Sequence, residues 1–170
     1  MNIFVTSDDP KLCALWLDDR RLVKMVLETA QLLSSAVRHK KPSVKGLYSD
    51  THKNHPCAVW ARKSRGNFLW LCAHGFALCD TYAATFGRTH KSEEIIRKAS
   101  KHDLLFTDAP RTPFPNCTPF KSPDDSRSIH EKYRAYMLDK WAQDRPLPRF
   151  TKRSSPKTQW GSKCDTQKSD

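Results

Sequence analysis

The chain has 170 residues, a length that suits one domain with a sizeable core. Thirty Lys and Arg side chains outnumber eighteen Asp and Glu, and the resulting net charge of +12 favours a polyanionic partner, most commonly nucleic acid. No apolar run approaches the ~20 residues of a membrane span, and the N-terminal segment lacks the pattern of a signal peptide. We therefore expect a cytoplasmic protein without membrane contact, whose six scattered cysteines are reduced.

Helical patterns occupy most of the chain. A short apolar segment is followed by predicted helices, and in chain order these elements cover residues 2–5, 10–38, 56–64, 65–86, 92–106 and 125–143. Asp9 and Pro10 are typical of an N-cap and a first helical residue, Ser64 and Ser92 of later N-caps, and Gly87 of a helix C-terminus. A bend is expected in the first long helical pattern, close to two consecutive aspartates.

These elements predict an all-α fold, or one nearly so. We expect a compact bundle of about five to six helices, preceded by a short extended segment and followed by a basic disordered tail. The proline-rich segment before the last helix is expected to be a loop that covers the body. The predicted division is a helical DNA-processing domain over residues 1–144 and a tail over residues 145–170.

One face of the helix after Leu17 carries an unusual row of polar residues. At successive gaps of three and four, the row contains Arg21, Lys24, Glu28, Gln31, Ser35 and Arg38, with Arg20 beside its first member. Apolar residues flank the row on both sides, which is more than a single core-facing stripe requires. A salt bridge between Lys24 and Glu28 on a solvated edge would explain the charges, but the apolar flanks favour a row that opens into a cleft.

A second polar cluster surrounds the predicted short helix. Its members are His52, Asn54, His55, Arg62, Lys63, Arg65 and Asn67. Backbone amides at the helix start after Ser64, with Arg65 beside them, predict a phosphate site. The two histidines could ligate zinc together with His74 or Cys57, but their spacing matches none of the usual zinc patterns, so we expect no metal and no cofactor.

The order of several sequence blocks resembles a family of small phage-encoded proteins. The blocks are MNIFVTSDDPK, LDDRRLVKMVLETAQLLSSA, THKNHPCAVWARKSRGNFLWL and ALCDTYAATFGRTHKS. More remotely, the chain is similar to the pyrimidine-dimer DNA glycosylases of the endonuclease V type, which are small, basic and helical. This second resemblance depends on size, helicity and a basic helix that carries one glutamate.

The second resemblance implies a specific chemistry. In such enzymes an amine attacks C1′ of a nucleotide whose base leaves, and a glutamate on the first long helix supports the Schiff base and the strand break. Glu28 lies on the matching helix. The family uses an N-terminal threonine amine, whereas this chain begins with Met1 and Asn2, so the nucleophile would be the Met1 amine or Lys24.

Three functions follow from the sequence. The first is a phage DNA-processing enzyme, both hydrolase and lyase, that cleaves the glycosidic bond of an altered or extruded pyrimidine. The second is a transferase that adds a group such as an amino acid to a modified pyrimidine in phage DNA. The third is a DNA-binding protein without catalysis. In each case we expect a monomer that contacts DNA phosphates in an infected bacterial cell, and fold analogy alone does not choose among the three.

Overall fold

A computed structural model describes residues 1–161 of the chain as a helical assembly, with no β-strand among those residues. The helices are α1 (Pro10–Leu15), α2 (Asp19–Lys40), α3 (Pro56–Ala61), α4 (Arg65–Phe86), α5 (Glu93–Ser100), α6 (Ile129–Gln143) and α7 (Lys157–Gly161), with a 3₁₀ helix over Asp103–Leu105. The predicted all-α class is therefore confirmed. None of the helices within the described residues is long and apolar enough to cross a membrane.

Several predicted helix ends are confirmed by their capping contacts. Asp9 accepts a hydrogen bond of 2.8 Å from the Lys11 amide at the start of α1. Ser64 accepts one of 3.1 Å from the Asn67 amide at the start of α4. That helix ends at Gly87, whose φ of 67° lies in the left-handed region that glycine adopts without strain.

The predicted bend between residues 10 and 38 is a full break between α1 and α2. Asp18 is the N-cap of α2, and its Oδ1 accepts a hydrogen bond of 3.2 Å from the Arg21 amide. Its Oδ2 accepts a bond of 2.7 Å from the indole N–H of Trp141 on α6. The aspartate therefore starts one helix and ties it to another.

The predicted helix over residues 92–106 was too long, whereas Ser92 is at its N-cap position as predicted. The α-helix ends at Ser100, and Ser92 makes no capping hydrogen bond with its side chain. Its hydroxyl lies 3.0 Å from the Tyr48 hydroxyl instead, so a tertiary contact replaces the local one. The last predicted helix starts later than expected, at Ile129, where Ser128 and Glu131 form a capping box.

The extended N-terminal segment is buried in the core. Ile3 and Val5 are fully buried, and the carbonyl of Val5 lies 3.0 Å from Nδ1 of His130 on α6. The Thr6 carbonyl accepts a hydrogen bond of 2.8 Å from Nε of Arg134 on the same helix. These contacts hold Met1 and the residue after it between α2 and α6.

Residues 145–161 fall in the predicted disordered tail, yet they pack against the helical body. The guanidinium of Arg153 lies 2.6 Å from a carboxylate oxygen of Asp19, and the Arg153 side chain is only 6% exposed. Trp160 on α7 stacks on Trp141 with ring centroids 5.3 Å apart. Residues 162–170 of that tail lie outside the described residues, and the division of the chain at Asp144 stays a prediction.

Candidate active site

A cleft of about 350 Å³ opens beside α2, at the place where the N-terminal segment meets α6. Its wall carries four long cationic side chains, those of Arg20, Arg21, Lys24 and Lys140. Its apolar and aromatic surface comes from Phe4, Met25 and Tyr136, and the other lining residues are Met1, Asn2, Glu28, His55 and Cys117. The polar row of α2 therefore faces a cleft over its first half.

Glu28 lies at the centre of this cleft and is held by three nitrogen atoms. Its Oε2 accepts a hydrogen bond of 2.9 Å from the backbone amide of Asn2 and lies 3.8 Å from the Met1 α-amine. Its Oε1 lies 3.5 Å from Nζ of Lys24, which confirms the pairing predicted from their spacing. Glu28 is only 8% exposed, so the carboxylate keeps little contact with solvent and is stabilised by these partners.

The two candidate amines differ in their surroundings. The Lys24 side chain is 68% exposed and reaches Glu28 from the solvent side. The Met1 side chain is 2% exposed, whereas the residue as a whole is partly exposed, so its accessible surface lies on the backbone that carries the terminal amine. The buried side chain anchors this amine beside Glu28 more firmly than an exposed lysine side chain can be anchored.

The Arg21 guanidinium forms salt bridges with two aspartates. One of its Nη atoms lies 2.9 Å from Asp18 and 2.6 Å from Asp144. Burial opposes the charged guanidinium, but the hydrogen bonds that it donates to Asp144 and Asp18 outweigh that effect and raise the pKa of Arg21. Arg20 is more exposed, and its contacts are longer, 3.4 Å to an Asp144 carboxylate oxygen and 3.5 Å to the Arg145 carbonyl. Arg20 is therefore the freer cation for a phosphate.

Three side chains from two segments that lie far apart in the sequence meet at one edge of the cleft. The sulfur atoms of Cys57 and Cys117 lie 3.6 Å apart, and ligand atoms of His55, Cys57 and Cys117 all lie within 4.8 Å of one another. Cys57 is fully buried, whereas His55 and Cys117 are partly exposed to the cleft.

The two thiols shift the pKa of each other in opposite directions. A hydrogen bond from Cys57 lowers the pKa of Cys117 to about 6, and the same contact together with burial raises the pKa of Cys57. Burial lowers the pKa of His55, and the positive charge of the Met1 amine lowers it further. The ring Nδ1 of His55 accepts a hydrogen bond of 3.2 Å from the Cys57 amide as the N-cap of α3.

The phosphate site at the start of α4 stays a prediction, but the first amides of that helix are already occupied. The Arg65 amide donates to the Thr107 carbonyl at 2.8 Å, and the Gly66 amide donates to the Ala109 carbonyl at 3.0 Å. The Arg65 guanidinium is paired with Asp103 at 2.7 Å. The proline-rich loop therefore fills the position that a phosphate would need.

Asn67 also does not serve as a nucleic-acid contact. It is fully buried, and its amide group donates to the Trp60 carbonyl at 2.7 Å and accepts from the Thr112 amide at the same distance. Those bonds join α3, α4 and the proline-rich loop. The Asn67 side chain is therefore part of the fold.

The remaining predicted contacts lie outside the cleft. His52, Asn54 and Lys63 are exposed, Arg62 donates a hydrogen bond of 2.6 Å to the Lys53 carbonyl, and Gln31 is partly exposed on α2. Their accessibility permits phosphate contacts, which stay a prediction. Of the second polar cluster, only His55 lines the cleft.

Several lining residues were missed by sequence reasoning. Tyr136 and Lys140 lie within the predicted last helix but were not marked there as site residues, and Cys117 lies in a loop with no local pattern. Asn2 was considered only as the residue that follows Met1, whereas its amide contacts Glu28. In the sequence, Cys117 is one of six scattered cysteines, and no neighbouring residue marks it as part of a site.

The fold and the cleft together define a basic, all-helical protein in which an amine and a carboxylate face each other beneath a cationic rim. A family model described as pyrimidine dimer DNA glycosylase matches residues 1–91, which is more than half of the chain. This protein belongs to that family. The matched part contains Met1, Lys24 and Glu28, and it implies a DNA substrate and glycosylase chemistry in the broad sense. No curated protein and no solved structure matches the chain.

Proposed function

We propose that this protein is a DNA glycosylase with lyase activity that acts on an altered or extruded pyrimidine. The observation that carries the proposal is the position of the Met1 amine, 3.8 Å from Glu28 in a cleft lined by four long cationic side chains. An amine beside a carboxylate is what glycosidic-bond cleavage through a Schiff base requires. The family match supports the same class of reaction.

The proposed reaction begins at C1′ of the target nucleotide. The neutral amine forms a C–N bond to C1′, and the glycosidic bond breaks so that its electron pair leaves with the base. Loss of a proton from the amine and opening of the sugar ring give a Schiff base. Glu28 would accept or return these protons, since its carboxylate lies within reach of the amine.

The strand break would follow from the same intermediate. A base removes a proton from C2′, and the electron pair of that C–H bond expels the 3′ phosphate. Water then hydrolyses the Schiff base and frees the amine. Glu28 is the carboxylate in the cleft that could accept the C2′ proton, and Lys24 would neutralise it in the resting state.

The Met1 amine is the preferred nucleophile for a chain whose first residue is Met1. The buried Met1 side chain supports this choice, because it anchors the amine beside Glu28, whereas the Lys24 side chain is mostly exposed. Arg20 and Lys140 on the rim would hold the phosphates on either side of the target nucleotide.

The resemblance to phage-encoded proteins supports a proposal for where the enzyme acts. We place the enzyme in the cytoplasm of an infected bacterial cell, where it would act as a monomer on phage or host DNA. The net charge of +12 supports rapid, sequence-independent association with that DNA.

Borohydride trapping tests the proposal directly. The protein is incubated with duplexes that contain a pyrimidine dimer, an abasic site or no lesion, then reduced and digested with trypsin. The expected result is a DNA adduct on the peptide that covers residues 1–11, with normal cleavage after Lys24. An adduct that blocks cleavage after Lys24 would assign the amine to that lysine. If none of the duplexes gives an adduct although DNA binding is intact, the result would contradict lyase chemistry and favour a transferase or a binding protein.

A further inference from the structure

We infer that His55, Cys57 and Cys117 form a binding site for a zinc ion at the edge of the cleft. Their ligand atoms lie within 4.8 Å of one another, close enough for one metal ion to reach all three after small side-chain movements. A set of two thiolates and one imidazole is typical of zinc, and three protein ligands leave the fourth tetrahedral position open.

The separation of the two sulfur atoms fits such a site. Two sulfurs bonded to one tetrahedral zinc at about 2.3 Å each lie about 3.8 Å apart. Cys57 and Cys117 are 3.6 Å apart, so the pair needs almost no change to take up the ion. A disulfide would require the sulfurs to approach to about 2.05 Å, a much larger change in their separation.

The charge of the surroundings also favours zinc over a harder cation. When zinc binds, both thiol groups lose their protons to solvent and two Zn–S bonds form. The two negative thiolates then cancel the two positive charges of the ion, and the site adds no charge to the cationic wall that contains Arg20, Lys24 and Lys140. Carboxylates suit magnesium or calcium better, and none belongs to this cluster.

The fourth position would face the cleft. Cys57 is fully buried behind the other two ligands, whereas His55 and Cys117 both line the cleft wall. The ion would join the N-terminus of α3 to the proline-rich loop, two segments sixty residues apart. A metal-bound His55 would give up the hydrogen bond that its Nδ1 accepts from the Cys57 amide, because ligation by either nitrogen uses or protonates Nδ1.

Metal content of the purified protein tests the site, with no need for activity. The full chain is prepared under reducing conditions, stripped with a chelator, and titrated with Zn²⁺ and separately with Co²⁺. The expected result is about one tightly held zinc per chain and a thiolate-to-cobalt charge-transfer band, as a site with two sulfur ligands produces. Wild-type protein that stays metal-free under these conditions, or that binds cobalt without this band, would overturn the inference.

Matched variants locate the site. Cys117→Ser and His55→Asn are expected to lose the tightly held zinc, and asparagine keeps an N-cap for α3 while being too short to replace the imidazole. Cys13→Ser and His52→Asn change the same residue types outside the cluster and should retain it. Retention of zinc in Cys117→Ser, or equal loss in the two controls, would overturn the assignment. The trapping experiment on stripped protein reports on the glycosylase chemistry separately, so either idea can fail without the other.

Discussion

The backbone amide of Asn2 donates a hydrogen bond of 2.9 Å to Oε2 of Glu28, across 26 residues of sequence. This bond fixes the carboxylate against the N-terminal segment and brings the terminal amine to 3.8 Å from the same oxygen. The carboxylate is largely shielded from solvent, since Glu28 is a buried residue. A side chain held in this way has a defined position before any DNA binds, which is what proton transfer requires.

The first prediction concerns Glu28→Gln. If the carboxylate accepts protons during base release and strand cleavage, turnover should fall by ~100-fold or more, since the amide cannot act as a base. DNA affinity should be unchanged or slightly higher, because a negative charge is removed. Single-turnover cleavage and equilibrium binding separate these effects. Glu94→Gln is the matched control, since Glu94 also pairs with a lysine four residues away, on the exposed surface of α5. Full activity in Glu28→Gln would exclude the proposed role.

The second prediction concerns the nucleophile. A short Gly-Ser extension before Met1 replaces the free amine by an amide and should abolish both base release and the borohydride adduct. The same extension at the C-terminus should have no effect. Lys24→Ala should retain most of its activity, because its amine is exposed and its main contact is the salt bridge to Glu28. Unfolding and DNA binding are measured for each variant, and loss of activity in Lys24→Ala alone would reverse the assignment.

The third prediction separates the two basic clusters. Arg20→Ala should weaken DNA binding and reduce the salt slope by about 0.9 for each phosphate contact that is lost. Arg65→Ala should leave the slope unchanged, because its guanidinium is paired with Asp103 and the adjacent amides are bonded to the loop. Fluorescence anisotropy over a range of salt concentrations measures both. A smaller slope for Arg65→Ala would show that this arginine contacts phosphate after all.

The fourth prediction uses His74, whose side chain is fully buried on α4. The Pro10 carbonyl can only accept, so Nδ1 of His74 carries the proton, and Nε2 has no partner among the described residues. Burial lowers the pKa of His74 to about 4. In the unfolded chain a histidine titrates near 6.5, so the unfolded state binds the extra proton between these values and stability falls as pH decreases from about 6.5 to 4.

The expected contribution of His74 to this loss is about 3 kcal/mol of unfolding free energy. His74→Asn keeps a donor for the Pro10 carbonyl and removes the titration, so its unfolding free energy should depend less on pH across this range. His52→Asn, at an exposed position, should behave like the wild type. Urea unfolding at pH 7, 5.5 and 4 measures the difference. Identical pH dependence in His74→Asn and wild type would contradict the buried, uncharged state of this histidine.

The fifth prediction concerns the C-terminal segment. Trp160→Ala should lower the unfolding free energy by about 3 kcal/mol, since the ring is buried and stacks on Trp141. Truncation after Asp144 should destabilise the fold more strongly, because it also removes Arg153 from Asp19. Truncation after Gly161 serves as the control that removes residues 162–170 alone. If the protein cut after Asp144 unfolds at the same urea concentration as wild type, the packing of residues 145–161 contributes nothing to stability.

The helical class, most helix positions and the polar row of α2 could be predicted from the sequence. Each depends on interactions within a few residues: the Asp9 and Ser64 caps act within one turn, and Lys24 and Glu28 are neighbours on any helix. The apolar flanks of the row also indicated a cleft correctly. Such local patterns can be recognised in a sequence because the side chains of a helix return to the same face at a short, fixed interval.

Tertiary structure alone decided which groups meet. Glu28 reaches the Asn2 amide, and Cys57 meets Cys117 across sixty residues, in contacts that no local pattern encodes. The same applies to the α4 amides, which favour an anion in isolation but are bonded here to loop carbonyls. Close approach of that loop requires Gly66, where a Cβ would lie 2.4 Å from the Arg111 nitrogen. Long-range packing sets these distances, because each depends on the combined path of segments far apart in the chain.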